Sequence, residues 1–245
     1  MIKRDLSIVV PCYNEAERLP INDYNNFLSK YNDILIVFVN DGSSDNTIQV
    51  LNSIKDDYPD QIHILNYEKN RGKANAVYVG FQEIIKNQDS EKIAYLDADL
   101  ATSLDECLRL SNFINENIKF VFASRILTLD NNIKRKWYRF FIGRIISTAI
   151  SNTLRLTIYD TQCGCKILHR DLVELAFKDA FSSRWLFDVE IFFRLIRAFG
   201  KEEMVAFSKE VPLDQWIDTE DSRVKFTYMF RLWVDLATIY FRYRS

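Results

Sequence analysis

Five short apolar runs recur along the first half of this chain, each followed by a polar cluster and then a helix-like segment. No other feature constrains the fold as much. The runs are LSIVV (6–10), ILIVFVN (34–40), IHILNY (62–67), KIAYLD (92–97) and FVFAS (120–124). The spacing predicts helices over 15–30, from Ser44 or Asp45 to Lys55, from Gly72 onward, and from a Ser103 cap to Asn117. Strands alternating with helices at this spacing imply an α/β protein with a mostly parallel, doubly wound sheet. Glycine and proline are scarce, at 6 and 4 copies, which argues against a turn-rich β-sandwich.

In such a sheet, ligands bind beyond the carboxyl ends of the strands. The polar clusters fall there: Tyr13-Asn14-Glu15, Asp41-Gly42-Ser43, Asn70-Arg71-Gly72-Lys73 and Asp97-Ala98-Asp99. They form one site if their strands are neighbours. The last cluster raises a physical question, because two carboxylates at the end of a buried strand repel. In an extended segment alternate side chains point the same way, so Asp97 and Asp99 can face one cation. A hard divalent ion carrying a diphosphate fits that pair. Alone, the pattern also suits a solvated loop; beside three other strand-end clusters it favours a site.

Charge and cysteine content narrow the partners. The net charge of −2 gives no sign of a nucleic-acid partner. Cys12, Cys107, Cys163 and Cys165 form no CxxC pair, and His63 and His169 lie far apart, so neither a zinc site nor a disulfide framework is expected. A reducing, cytosolic setting follows from that usage. The first apolar run is too short for a signal peptide, and no uncharged run reaches the ~18 residues needed to span a bilayer. His63 reads as a packed strand histidine and Cys163 and Cys165 as small core residues.

After residue 125 the character changes. Residues 131–159 hold no acid but six basic residues, Lys134, Arg135, Lys136, Arg139, Arg144 and Arg155. Trp137, Phe141, Ile145 and Ala149 follow a helical stripe among them. This pattern predicts an amphipathic membrane-surface segment over 133–157. The tail, 223–245, has five basic residues and one acid and reads as a second amphipathic helix, its aromatic stripe leaning to core. The expected organisation is a catalytic domain over 1–222 containing 133–157, followed by the helical segment 223–245.

The motifs SIVVPCYNEAERLP, VNDGSSDNT, NRGKANAV and DADLAT resemble those of the family-2 glycosyltransferases of the GT-A (nucleotide-diphospho-sugar transferase) fold. DTQCGCKIL (160–168) and RWLFDVEIF (184–192) narrow the resemblance to the dolichyl-phosphate (polyprenyl-phosphate) β-glucosyltransferases, relatives of the dolichol-phosphate mannosyltransferases. The resemblance implies that Pro11, Tyr13 and Glu15 line a nucleoside pocket with Asp41 on the base, and that Gly72 and Lys73 lie near the nucleotide. It implies that Asp97 contacts the nucleotide and shares Mg²⁺ or Mn²⁺ with Asp99. Arg125 and Arg139 would grip the acceptor phosphate. Asp160, Gln162, Lys166, Trp185, Asp188 and Glu190 would shape the sugar side, with Asp99, Arg125, Arg139 and Lys166 as the catalytic set. Ser222 and Arg223 would stand near the diphosphate. Three positions depart from the family pattern. Ala101 stands where mannosyltransferase relatives carry a metal-binding glutamine, leaving Thr102 or water to serve. Asp221 replaces the glycine of a Gly-Ser-Lys, and Cys165 stands where the glucosyltransferases tend to have Phe.

The implied reaction moves glucose from UDP-glucose to a polyprenyl or dolichyl phosphate, with inversion, on the cytoplasmic face of a membrane that the protein meets peripherally. A lipid phosphate is already ionised at neutral pH and needs no general base; a sugar hydroxyl acceptor would need one, and Asp188 or Glu190 would be the candidates. Mannose or N-acetylglucosamine on the same acceptor, transfer to a carbohydrate hydroxyl, and a binding module without turnover remain as alternatives. Oligomeric state is not readable.

Overall fold

The computed structural model describes residues 3–134, 137–217 and 228–244, and their side chains except at 134, 137–139 and 228–230. The alternation in the first half is realised as β1 (Lys3–Cys12), α1 (Ile21–Leu28), β2 (Ile34–Asp41), α2 (Thr47–Asp57), β3 (Ile62–Tyr67), α3 (Lys73–Asn87), β4 (Asp89–Leu96), α4 (Leu104–Ser111) and β5 (Phe120–Ser124). The second half adds β6 (Asn132–Lys134), α5 (Trp137–Leu154), β7 (Cys165–His169), α6 (Arg170–Ala176), α7 (Phe187–Phe199), α8 (Lys201–Ala206), β8 (Ser208–Pro212), β9 (Gln215–Ile217) and α9 (Tyr228–Tyr243).

Seven strands form one sheet in the order β3-β2-β1-β4-β7-β5-β8, and β6 pairs with β9 apart from it. All pairs in the large sheet are parallel except those of β7, which runs antiparallel between β4 and β5. The sheet is therefore mostly parallel, as the alternation predicts. β7 is the addition: a five-residue strand of Cys, Lys, Ile, Leu and His carries no strand-like run of its own.

Each strand serves two cores because side chains alternate across the sheet. On β1 and β2, Val9, Val37 and Val39 join the cluster under α3 and α7, while Ile8, Val10, Ile36 and Phe38 join the one under α1 and α4. Burial on both faces explains why these strands read as unbroken apolar runs. Leu232, Leu236 and Ile239 of α9 belong to the first of these cores.

Helix boundaries moved where proline or a cap decides them. Residues 15–19 make turns instead of helix, with the Arg18 and Leu19 N–H groups donating to Glu15 O at 3.0 and 2.9 Å. Pro20 restricts the residue before it, and α1 starts only after it. Ser103 does cap α4, its Oγ accepting the Glu106 N–H at 3.1 Å, but that helix ends at Ser111. In α2 the cap position falls on Asn46, while the Asp45 carboxylate accepts the Thr47 N–H at 3.0 Å.

Candidate active site

Strands β1 to β4 are contiguous and parallel, so their four polar clusters lie along one sheet edge. The chain beyond β4 turns sharply there. Leu100 takes a positive φ of 49° and its N–H donates to Asp97 O at 3.2 Å, while the Ala101 N–H donates to Asp99 Oδ1 at 3.2 Å. Ala98 points into the core, and its carbonyl accepts the Tyr24 hydroxyl at 3.2 Å. The flanking carboxylates keep 38% (Asp97) and 20% (Asp99) of their side-chain surface exposed.

Each carboxylate meets a cation. Lys73 Nζ, at the start of α3, lies 2.5 Å from Asp97 Oδ1. Arg18 Nη2 lies 3.3 Å from Asp99 Oδ2, and its Nη1 3.7 Å from Glu15 Oε2. Burial works against the Lys73 ammonium, but Asp97, Asp188 and Asp99 outweigh it and hold its pKa above the ordinary lysine value. Lys73 therefore stays charged. The repulsion between the two aspartates is met by cations already in place.

The neighbouring loops are laced by short polar bonds. Asn14, at φ 50°, donates its N–H to Ser43 Oγ at 2.9 Å, and its Oδ1 accepts the Ser44 N–H at 2.8 Å. The Glu15 N–H donates to Thr47 Oγ1 at 2.8 Å. Asp41 spends both oxygens on the loop before α3, accepting the Arg71 N–H at 2.9 Å and the Gly72 N–H at 2.7 Å. That carboxylate positions the loop. Gly72 sits at φ 96°, and a Cβ there would lie 2.5 Å from Arg184 Nε, so only glycine suits this approach. Arg184 O in turn accepts the Ala74 N–H at 3.2 Å, which joins the loop bearing Trp185 to the start of α3. Tyr13 is 38% exposed beside this edge, Pro11 half-buried and Glu15 buried.

The segment 160–166 backs the aspartate turn. The Asp97 N–H donates to Gly164 O at 3.2 Å, and a Cβ on Gly164 would fall 2.1 Å from Asp97 Oδ2. Glycine at 164 lets the two segments touch. Arg125 makes a two-point pair with Asp160, Nε to Oδ2 at 2.6 Å and Nη2 to Oδ1 at 3.0 Å, with its guanidinium 5.3 Å from the Trp216 ring centre. Burial opposes the Asp160 charge, yet Arg125 and the backbone N–H groups lower its pKa to about 2. The Gln162 N–H also donates to Asp160 Oδ1, at 3.0 Å.

Two expected members of the sugar side are enclosed. Lys166 is fully buried; its Nζ donates to Tyr95 Oη at 2.9 Å and Cys163 O at 2.9 Å and lies 2.7 Å from Asp188 Oδ1. Tyr95 donates its hydroxyl to Asp188 as well. Burial, then the Asp188 charge, pushes the Tyr95 pKa well up, so the phenol keeps its proton. Lys166, expected among the catalytic set, thus ties β4, β7 and α7 together from inside the core. Glu190 is also fully buried and accepts the Ser182 and Ser183 N–H groups, each at 2.8 Å, and the Tyr243 hydroxyl at 3.2 Å. It ties the 182–183 loop to α9 and is not brought to the open edge.

Arg139's side chain and Arg223, with Asp221 and Ser222, lie outside the described residues. His169 pairs with Lys92 midway along β4, away from the aspartates, and accepts the Asp171 N–H at 3.3 Å. His63 is half-buried, with Nε2 3.3 Å from Glu83 Oε1, so it is not the packed histidine expected. All four cysteines are free and buried. Arg18, Tyr95 and Gly164 were overlooked in the sequence. All three lie inside or beside the strand-end motifs, but pairing across 67 to 81 positions leaves no mark in spacing.

Among the described residues no cluster of three or more His, Cys, Asp or Glu could hold a metal ion. Thr102, the expected stand-in for the missing glutamine, is buried, with Oγ1 4.0 Å from Cys163 Sγ. The donor set is two carboxylates. That suits a hard divalent ion whose remaining positions are filled by diphosphate oxygens and water, and not a closed protein cage.

The family described as Glycosyl transferase family 2 matches residues 7–176. The dolichyl-phosphate beta-glucosyltransferase ALG5C of Trichomonas vaginalis is 33% identical, covering 96% of this chain and 71% of its own. The dolichyl-phosphate beta-glucosyltransferase of Mus musculus is 28% identical, covering 98% and 76%. Among solved structures, glucosyl-3-phosphoglycerate synthase from Mycobacterium tuberculosis in complex with Mn²⁺, uridine-diphosphate and glucosyl-3-phosphoglycerate matches with a TM-score of 0.69. That match covers 96% of this chain and 80% of the other at 14% identity, a likeness of fold.

Proposed function

This chain belongs to glycosyl transferase family 2, and from that premise we propose that it transfers glucose from UDP-glucose to a polyprenyl or dolichyl phosphate, inverting the anomeric centre. The observation that carries the reading is Asp97 and Asp99 at the end of β4, flanked by Lys73 and Arg18 on the edge shared by four parallel strands. Relatives along nearly the whole chain are named dolichyl-phosphate beta-glucosyltransferases, which supports this donor and acceptor over the alternatives.

Asp97 and Asp99 would hold Mg²⁺ or Mn²⁺, which when bound supplies charge neutralisation on the departing diphosphate. Lys73, kept charged, stands beside Asp97 to meet the same negative charge. Tyr13, Pro11 and Glu15 flank the nucleoside, with Asp41 shaping the loop that carries Gly72 and Lys73. Arg125 holds Asp160 and the turn to Gln162 as one wall of the sugar side; Trp185, on the loop that Arg184 joins to α3, is the residue proposed for the other. Arg139, Arg125 and Arg223 are the cations proposed for the two phosphates. The lipid phosphate attacks as an ion, so no side chain need remove a proton; positioning and electrostatics carry the rate.

No helix among the described residues is long and apolar enough to cross a membrane. The proposed contact is peripheral, at the cytoplasmic face, through α5. There Phe141 and Ile145, one turn apart, are 64% and 50% exposed. Arg144 on the same helix turns inward, donating to Tyr159 O at 2.7 Å.

A donor and acceptor panel tests the reading. UDP-glucose, UDP-N-acetylglucosamine and GDP-mannose are each offered short polyprenyl phosphates or free oligosaccharides, with Mn²⁺. Label entering the organic phase from UDP-glucose alone, and lost in Asp99→Asn, is the expected result. Label on oligosaccharide, or entering lipid only from another nucleotide, overturns it.

A further inference from the structure

Helix α9 turns one face inward. Leu232, Leu236 and Ile239 are buried in the core, and the Tyr243 ring stacks on Phe193 of α7 at 5.7 Å. The one acid of the tail, Asp235, is drawn the same way, accepting the Ser183 hydroxyl at 2.7 Å. What remains outside is apolar and cationic. Trp233, Val234 and Phe241 are 46%, 64% and 70% exposed, and Ala237 and Thr238 continue the stripe between them. Arg231, Arg242 and Arg244 are exposed along the same helix. Arg242 is steadied by Ser182 Oγ, and Arg244 lies 5.4 Å from the Tyr240 ring centre. Single exposed apolar residues are ordinary, but a stripe one helix long, set among arginines and lacking a carboxylate, is not the surface of a helix facing only water.

We propose that this outer face of α9 docks on an anionic lipid bilayer, with Trp233, Val234 and Phe241 entering the headgroup–acyl boundary and Arg231, Arg242 and Arg244 meeting lipid phosphates. Charge selects this occupant. A second copy of the chain meeting it across a two-fold axis would bring the same three arginines, with only the half-buried, Ser183-bound Asp235 of each helix to answer them. A bilayer containing anionic lipid answers them directly, each surface cation adding to the attraction. The helix lies along the surface, its inner face being committed to the core. The proposal deepens the lipid-acceptor reading and rests on it for its purpose: a bilayer against α9 holds the protein where the acceptor's tail resides.

The test is co-sedimentation of the full chain with phosphatidylcholine vesicles, with and without phosphatidylserine, beside transfer assays on a short, water-dispersed prenyl phosphate. The wild type should bind vesicles only when phosphatidylserine is present. Val234→Glu/Phe241→Glu should lose about tenfold or more in partitioning, the scale expected for withdrawing apolar side chains from the boundary. Its circular dichroism and its transfer to the short acceptor should match the wild type. Arg231→Gln/Arg244→Gln should weaken binding most where phosphatidylserine is present. Unchanged partitioning in both double variants, with Phe141→Glu/Ile145→Glu alone abolishing it, overturns the proposal. So does a concentration-dependent dimer in light scattering that Phe241→Glu dissociates. Vesicle binding without transfer to any prenyl phosphate would defeat the acceptor reading and leave the docking face standing.

Discussion

At the scale of single residues, the buried pair of Arg125 and Asp160 yields a prediction with a definite pH sign. Asp160 falls from an ordinary 3.8 to about 2 in the folded protein. Its charged form is therefore favoured by folding, and the stability it contributes is complete above about pH 4. That contribution fades as pH falls through about 2. The size is about 2 kcal/mol, from the linkage constant for one pKa unit. Asp160→Asn should accordingly be less stable than the wild type at pH 6, with the gap in urea midpoints closing as pH falls from 4 to 2. A gap independent of pH would show that the carboxylate's charge is not what stabilises this segment. Residue identity was legible here: Asp160 and Arg125 both stood out in the sequence. Their partnership was not, because a bidentate pair across 35 positions depends on how β5 and the 160–164 turn meet. The same is true of Arg18, whose position beside Asp99 is set by the turns before Pro20.

At the scale of elements, β7 matters most. It inserts antiparallel between β4 and β5, so Lys166 faces Tyr95 across the strand pair and Asp188 reaches both from the start of α7. Three elements converge on one buried ammonium. Removing one partner of such a pair strands the other charge, at a cost of about 3–5 kcal/mol. Lys166→Met should lower the unfolding free energy by that much, read from the urea midpoint and slope. Lys166→Met/Asp188→Leu should recover a large part of it, falling short chiefly by the acceptor that Tyr95 loses. Equal losses in the single and double variants would mean the ammonium is held by its hydrogen bonds to Tyr95 and Cys163 and not by the carboxylate. The parallel strands and their helices were readable, since burial on both faces writes an apolar run and a serine cap marks a helix start. β7 was not, because burying a lysine beside a cysteine in a short strand breaks the pattern on which strand reading depends.

At the scale of the whole molecule, the site is assembled from four strand ends and a loop from the second half, so a ligand bound there links both halves of the sheet. Saturating UDP with Mn²⁺, at about a hundred times the dissociation constant, should stabilise folding by about 2.7 kcal/mol. For a chain of this size that is a rise of about 5 °C or more in melting temperature, as one transition. Asp99→Asn should abolish the rise without changing the unliganded transition. A shift of the same size in that variant would place the nucleotide away from the aspartates. The sequence by itself determined the alternating architecture, the strand-end clusters and the family motifs, because each is written in local periodicity and contiguous residues. Only the tertiary structure decided which cations meet Asp97 and Asp99, that Lys166 and Glu190 are sealed inside, and which face of α9 is left outside. Those are outcomes of packing between segments far apart in the chain, where geometry and burial, not spacing, choose the partners.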